Sequence, residues 1–221
     1  MLLSHFNNLY EFLGVIIAFV FALTIHEFAH AWVSDHLGDP TARLLGRLTL
    51  HPLAHLDPLG TLMILFASFG WAKPVPFDPY NLKHPRRDTA LISIAGPVAN
   101  LIGAGVGALL VRLFLLVPSS PSLVIEGLMT FLVTLSMMFV ILNVNLAIFN
   151  LIPIHPLDGF KIVEGILPER ESRQWASLQG LGIFMIILFV FPLFGGTSPV
   201  LRFISPIVSK IITLLLPGGI L

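Results

Sequence analysis

The sequence predicts an all-α polytopic membrane protein with about five transmembrane helices. Three observations lead there. Hydrophobic residues make up 56% of the 221 positions. Charged residues make up only 11%, against roughly 25% in a soluble domain. Apolar runs of membrane length recur along the chain, and the mean hydropathy is +0.92. The same numbers exclude a soluble globule, which needs polar residues to face water. They also exclude disorder, which needs low hydrophobicity and high charge. The net charge is +0, so neither nucleic acid nor an acidic substrate is indicated. There is no cysteine, which removes disulfides, thiolate metal sites and thiol nucleophiles.

The first apolar run, 9–33, reads as a retained helix. No Lys or Arg precedes Arg43, so the basic start of a cleaved signal peptide is missing. Residues 92–117 and 125–152 are the second and third spans. Gly103, Gly105, Gly107 and Ala108 give the second a small-residue face suited to close helix packing. The long apolar stretch after them is broken at Phe191-Pro192 and Gly195-Gly196, which divides it into helices at about 177–193 and 200–216. Segment 59–71 is apolar but short, which suits a re-entrant or interfacial element. If it does not cross, Arg43, Arg47, Lys73, Lys83, Arg86, Arg87, Lys161, Arg170 and Arg173 share one side, and the opposite loops hold no Lys or Arg. If it crosses, as a sixth span, these residues divide two against seven. The positive-inside rule favours the first arrangement. It places the N-terminus outside, the basic loops in the cytoplasm and the C-terminus with them. The chain reads as one integral membrane domain, 1–221, with a core at about 9–160 and a C-terminal helical pair at about 175–217. Trp71, Lys73 and Tyr80 fit interface anchoring.

Chemistry concentrates in His26-Glu27-Phe28-Ala29-His30. Residues four apart share a helix face, so both imidazoles can hold one zinc ion. Glu27 lies beside them, placed to take a proton from an attacking water. A pair of packing histidines is the plainer alternative, but three ionisable groups inside a lipid-embedded helix usually mark function. A catalytic zinc needs a third protein ligand. Asp158 is the best candidate, because it comes after the third span within a proline-broken segment of a kind tolerated where it lines a cavity. A plain Asp-Gly surface turn is the alternative. In the five-span arrangement His26, His30 and Asp158 arrive on the same side. Charge bias and ligand geometry thus select one topology from different residues.

The motifs HEFAH (26–30), GRLTLHPLAHLDPLG (46–60), GWAKPVP (70–76), AGPVAN (95–100) and FNLIPIHPLDG (149–159), in this order and spacing, resemble the site-2 protease family of intramembrane zinc metalloproteases. The resemblance covers residues 26 to about 160. It implies one Zn2+ per chain on His26, His30 and Asp158, with Glu27 as general base. It implies that Asn150 polarises the scissile carbonyl or holds its oxyanion. It implies a membrane-associated re-entrant β-hairpin or loop after the first helix, and a transmembrane protein as substrate in a bacterial plasma membrane. His51 and His155 depart from the family pattern, which often has Asn and Pro or another residue there. His51 and His55 could border the site or stabilise a turn, and His155 could support Asp158. Asn100 could hydrogen-bond the Asp158 loop. Neither an inserted PDZ-like domain nor a CBS-like domain is expected.

Two readings compete with the protease. An ion-binding transporter or channel would also use intramembrane His and Asp and broken helices, but there is no internal repeat, and a glutamate between the two histidines has no obvious transport role. A non-catalytic relative that binds transmembrane helices would not need the full ligand set.

Overall fold

The computed structural model describes residues 9–60, 71–118, 121–192 and 196–218. Three long helices carry the architecture: α1 (Leu9–His36), α3 (Pro85–Leu115) and α4 (Leu123–Asn150). All three pack against one another. A short α2 (Thr41–Leu44) comes after α1. Beyond α4 lie α5 (Asp158–Ile166), α6 (Glu169–Ser177), α7 (Gly182–Val190) and α8 (Ser205–Leu215). A 3-10 turn joins α6 to α7, and a π turn, Val200–Ile204, leads into α8.

Small residues bring the long helices together. Ala18, Ala22 and Ala31 of α1 are buried, as are Ala104 and Ala108 of α3 and Ala147 of α4. A Cβ at Gly107 would lie 2.9 Å from Val140 Cγ2, so only glycine allows this approach of α3 to α4. Val111, Val140, Val144, Val208 and Ile212 complete a core that ties α8 to the α3–α4 pair. Packing of this kind, rather than water exclusion, holds helices together in lipid.

Two expectations need correction. Among the described residues four helical segments, not five, are long and apolar enough to span: 12–36, 85–115, 123–150 and 169–190. The expected helix at 177–193 begins earlier, because the polar α6 runs through the 3-10 turn into α7. The expected helix at 200–216 is present, as the π turn Val200–Ile204 running directly into the 11-residue α8, but it is not among the segments long and apolar enough to span. Arg112, in the last turn of α3, donates to the Leu215 carbonyl at 2.5 Å. The end of α8 therefore sits at the far end of α3 from Pro85.

The expected re-entrant β-hairpin is the second correction. Among the described residues there is no β-strand, and the backbone pairing after α1 is an isolated antiparallel bridge between Leu56 and Ala72. Residues 61–70, most of the ambiguous 59–71 segment, lie outside the described residues. The chain leaves α1 as an irregular loop fastened by polar side chains. Asp39 is fully buried. It accepts from Ser34 Oγ, Thr41 N and Oγ1, Asp78 N and Asn81 Nδ2. Burial alone would raise its carboxyl, yet these bonds hold it below the ordinary carboxylate value. A depressed native value means stabilisation that is complete above the unfolded value, near 4, and lost as pH falls through the native one. Asp39→Asn should therefore lower stability by roughly 1–3 kcal/mol at neutral pH. In detergent melts taken across pH, the gap to the parent should close below about pH 4.

Candidate metal centre and active site

His26 and His30 lie in the C-terminal half of α1, one turn apart and facing α3. Both are buried, as is Glu27. Each imidazole is oriented by its Nδ1. His26 Nδ1 donates to Asn100 Oδ1 at 2.6 Å, and His30 Nδ1 donates to the Ile92 carbonyl at 2.7 Å. Both partners lie on α3. With each Nδ1 carrying the proton, both Nε2 atoms present lone pairs, and they stand 3.0 Å apart.

Asp158 opens α5 and points back at them. Its Oδ2 is 3.1 Å from His26 Nε2 and 3.3 Å from His30 Nε2. The close return of the chain requires Gly159, where a Cβ would lie 2.3 Å from the Leu151 carbonyl oxygen and 2.5 Å from that of Ile152. The Asp-Gly pair is thus a packed junction and not a surface turn. Asp158 Oδ2 is buried and accepts no hydrogen bond. Three lone-pair donors, all within 4.8 Å of one another, converge with no proton to share. A cation satisfies all three. Tetrahedral zinc ligands at ~2.0–2.1 Å lie roughly 3.3 Å from each other, which the observed separations match. The cluster fits a single Zn2+.

Gly96 of α3 forms the floor. A Cβ there would lie 2.6 Å from His26 Cε1 and Nε2 and from His30 Cε1. The methyl of Gly96→Ala should push both rings off position. We expect activity to fall about 100-fold, the scale of a 1 Å misplacement, while the detergent-purified protein still folds. Near-parent activity in the same cleavage assay would show that the rings can yield.

Glu27 sits beside the ligands, and its Oε2 accepts from the backbone N–H of Val75 at 3.1 Å. Val75 is flanked by Pro74 and Pro76, so it carries the single N–H of that tripeptide. Arg47, buried in the same loop, holds the carbonyls of Pro74 at 3.1 Å and Lys73 at 2.5 Å. Lys73 N donates to the His55 carbonyl at 2.9 Å.

The remaining sequence candidates separate clearly. His55 is fully buried, and its Nε2 donates to the Thr49 carbonyl at 2.8 Å. Burial, with Arg47 nearby, pushes it below the ordinary histidine value, so it is a neutral turn-holding residue. His51 is exposed. His155 supports the Asp158 segment from the outside, with Nε2 accepting from Gln179 at 3.1 Å and its ring edge-on to Phe160. Phe160 stacks on Trp175, whose Nε1 donates to the Phe160 carbonyl at 3.0 Å. These contacts brace α5 with α6 and the 3-10 turn that comes after it. Asn150 ends α4, and its Nδ2 donates to the Leu146 carbonyl at 3.0 Å. Asn100 bonds His26 and not the Asp158 loop. Sequence reasoning missed Val75, Arg47 and Asn143. Val75 and Arg47 do lie within the motifs at 70–76 and 46–60, though neither motif shows what they contact, and nothing in the sequence marks Asn143.

A buried His-His-Asp group with an adjacent carboxylate, set among membrane-length helices, defines an intramembrane zinc metalloprotease. The comparisons agree. The profile of peptidase family M50 matches residues 14–194. The chain is 42% identical over 183 residues to YwhC of Bacillus subtilis, covering 81% of each chain. It is 29% identical over 192 residues to Rip2 of Mycobacterium tuberculosis, covering 84% of this chain and 70% of that one. Both relatives bear zinc-metalloprotease names. No solved structure matches the chain. The protein belongs to peptidase family M50, the site-2 proteases.

Proposed function

We propose that His26, His30 and Asp158 hold the zinc and that Glu27 is the general base for hydrolysis of a peptide bond in a transmembrane segment of a bacterial membrane protein. The convergence of Asp158 Oδ2 on two unprotonated Nε2 atoms, with Glu27 alongside, carries this reading. When bound, zinc supplies Lewis acidity, lowering the pKa of water and polarising a carbonyl. Glu27 takes the proton of the attacking water and passes it to the leaving amine. Val75 N–H holds one carboxylate oxygen and leaves the other for that proton. An Asn amide has two N–H donors. Asn150 spends one on Leu146, and the other serves the scissile carbonyl or its oxyanion. The substrate helix must unwind locally, because a helical peptide bond is shielded and its carbonyl is already hydrogen-bonded.

The ends of α1 and α4 and the start of α3 meet at the site. The basic residues of 43–87 and 161–173 flank it, which supports an active site facing the cytoplasm and an N-terminus outside. The chain acts as one membrane domain, with α6 bracing α5.

The test is cleavage in liposomes by the purified chain, with zinc measured in the same preparation. One zinc per chain and cleavage that disappears on chelation and returns with added zinc are expected. Cleavage that survives complete removal of zinc would sink the reading.

A further inference from the structure

We propose that Asn143 of α4 and Asn100 of α3 form a two-amide relay that fixes the tautomer of His26, and so sets how tightly the site holds its metal. The inference rests on the zinc reading above and extends it to a residue two steps from the ion.

Both asparagines are fully buried among apolar helices, where an unsatisfied amide is expensive. Asn100 spends three of its bonding positions. Its Oδ1 faces His26 Nδ1 at 2.6 Å. Its Nδ2 donates to the Ala22 carbonyl at 3.0 Å and to Asn143 Oδ1 at 2.8 Å. Asn143 Nδ2 in turn donates to the Phe139 carbonyl at 2.8 Å. Gly103 leaves room for this approach, since a Cβ there would lie 3.0 Å from Asn143 Oδ1.

The sense of each amide is set by groups that cannot change. The Phe139 and Ala22 carbonyls are backbone acceptors. Rotating the Asn143 amide would set its oxygen against the Phe139 carbonyl and its nitrogen against Asn100 Nδ2. Rotating the Asn100 amide would set its oxygen against two further oxygens. With both amides fixed, Asn100 can offer His26 only an acceptor. His26 must then carry its proton on Nδ1 and leave Nε2 bare for the metal. His30 obtains the same result directly from the Ile92 carbonyl. Only His26 depends on side chains, and through Asn143 it depends on a third helix. Asn143 is therefore a positioning residue, seen by the metal through Asn100 and His26. Partners of this kind typically change metal affinity 10- to 100-fold.

The relay makes a prediction that simple packing does not. What Asn143 must supply to Asn100 is an acceptor. Asn143→Asp keeps an acceptor, whereas Asn143→Leu keeps the branching and number of side-chain heavy atoms and loses it. The apolar leucine suits a lipid-embedded bundle better than an acid does. Zinc affinity of the full chain in detergent, from competition with a chromophoric chelator, is to be measured beside melting of the metal-free protein. We expect Asn143→Leu to weaken zinc binding about 10-fold or more and Asn143→Asp to stay within about threefold of the parent. Metal-free stability should rank them the other way, leucine above aspartate. Asn143→Ala provides the same comparison if the leucine variant does not fold. Asn100→Asp, which retains an acceptor for His26, should bind zinc more tightly than Asn100→Leu. If Asn143→Leu binds zinc as tightly as the parent, or affinity simply tracks stability, the relay is overturned while the zinc site stands. A parent chain that takes up no zinc overturns the site itself, and the relay with it.

Discussion

Glu27→Gln should take up zinc as the parent does and lose its activity, by about 1,000-fold. The two halves of this expectation have separate physical causes. The proposed zinc ligands, His26, His30 and Asp158, lie together, and none of them changes. Glutamine keeps the length of the side chain, and its amide oxygen can still accept from Val75 N–H, as Glu27 Oε2 does at 3.1 Å. The loop that Arg47 anchors therefore has no reason to move. What disappears is basicity, because an amide cannot accept the proton of the attacking water at neutral pH. Metal content, melting temperature and rate of cleavage should be measured on one preparation. Undiminished cleavage with normal zinc would reject Glu27 as the base. Loss of zinc together with activity would show instead that Glu27 supports the ligands.

The parts of this site differ in how far they could be read from sequence. His26 and His30 were legible because helical geometry alone puts residues four apart on one face. Asp158 was legible through topology, since a count of spans decides which end of the bundle each motif reaches. That argument survives the loss of the fifth span because it uses only the helices before Asp158. Asn143 was not legible. Nothing near it in the chain distinguishes a relay residue from any buried amide, and its meaning comes from α3 crossing α4 at Gly103. The Val75 contact is hidden for another reason, being a backbone N–H whose side chain says nothing about it. The fold was misread where hydropathy had to stand in for geometry. The polar sequence of α6 continues as helix into α7, and the apolar residues of α8 pack on α3 and α4 without the length of a span. The segment after α1 was expected to form a re-entrant β-hairpin or loop. Among the described residues its order comes instead from Asp39 and Arg47, two buried polar side chains that gather backbone groups.

Asp158→Ala should abolish both zinc binding and cleavage, with a sign in stability that depends on the metal. Two imidazoles are one ligand short of a catalytic zinc site. Removing an actual ligand should exceed the 10- to 100-fold effect of an outer partner, so zinc should be weakened by at least about 100-fold. Without metal, the parent holds a buried carboxylate oxygen against two imidazole nitrogens, with no hydrogen bond to that oxygen. Truncation relieves this, and the chain around it keeps its supports, because the Gly159 junction and the Phe160–Trp175 stack do not involve the carboxylate. Metal-free Asp158→Ala should thus melt no lower than the metal-free parent. Added zinc should raise the parent's melting temperature, because a ligand that binds only the native state stabilises it in proportion to the logarithm of its concentration over Kd. The variant's melting temperature should not respond. A variant that is destabilised in the absence of metal would assign Asp158 to holding α5 in place. One that still gains stability from zinc would show that the ion sits elsewhere.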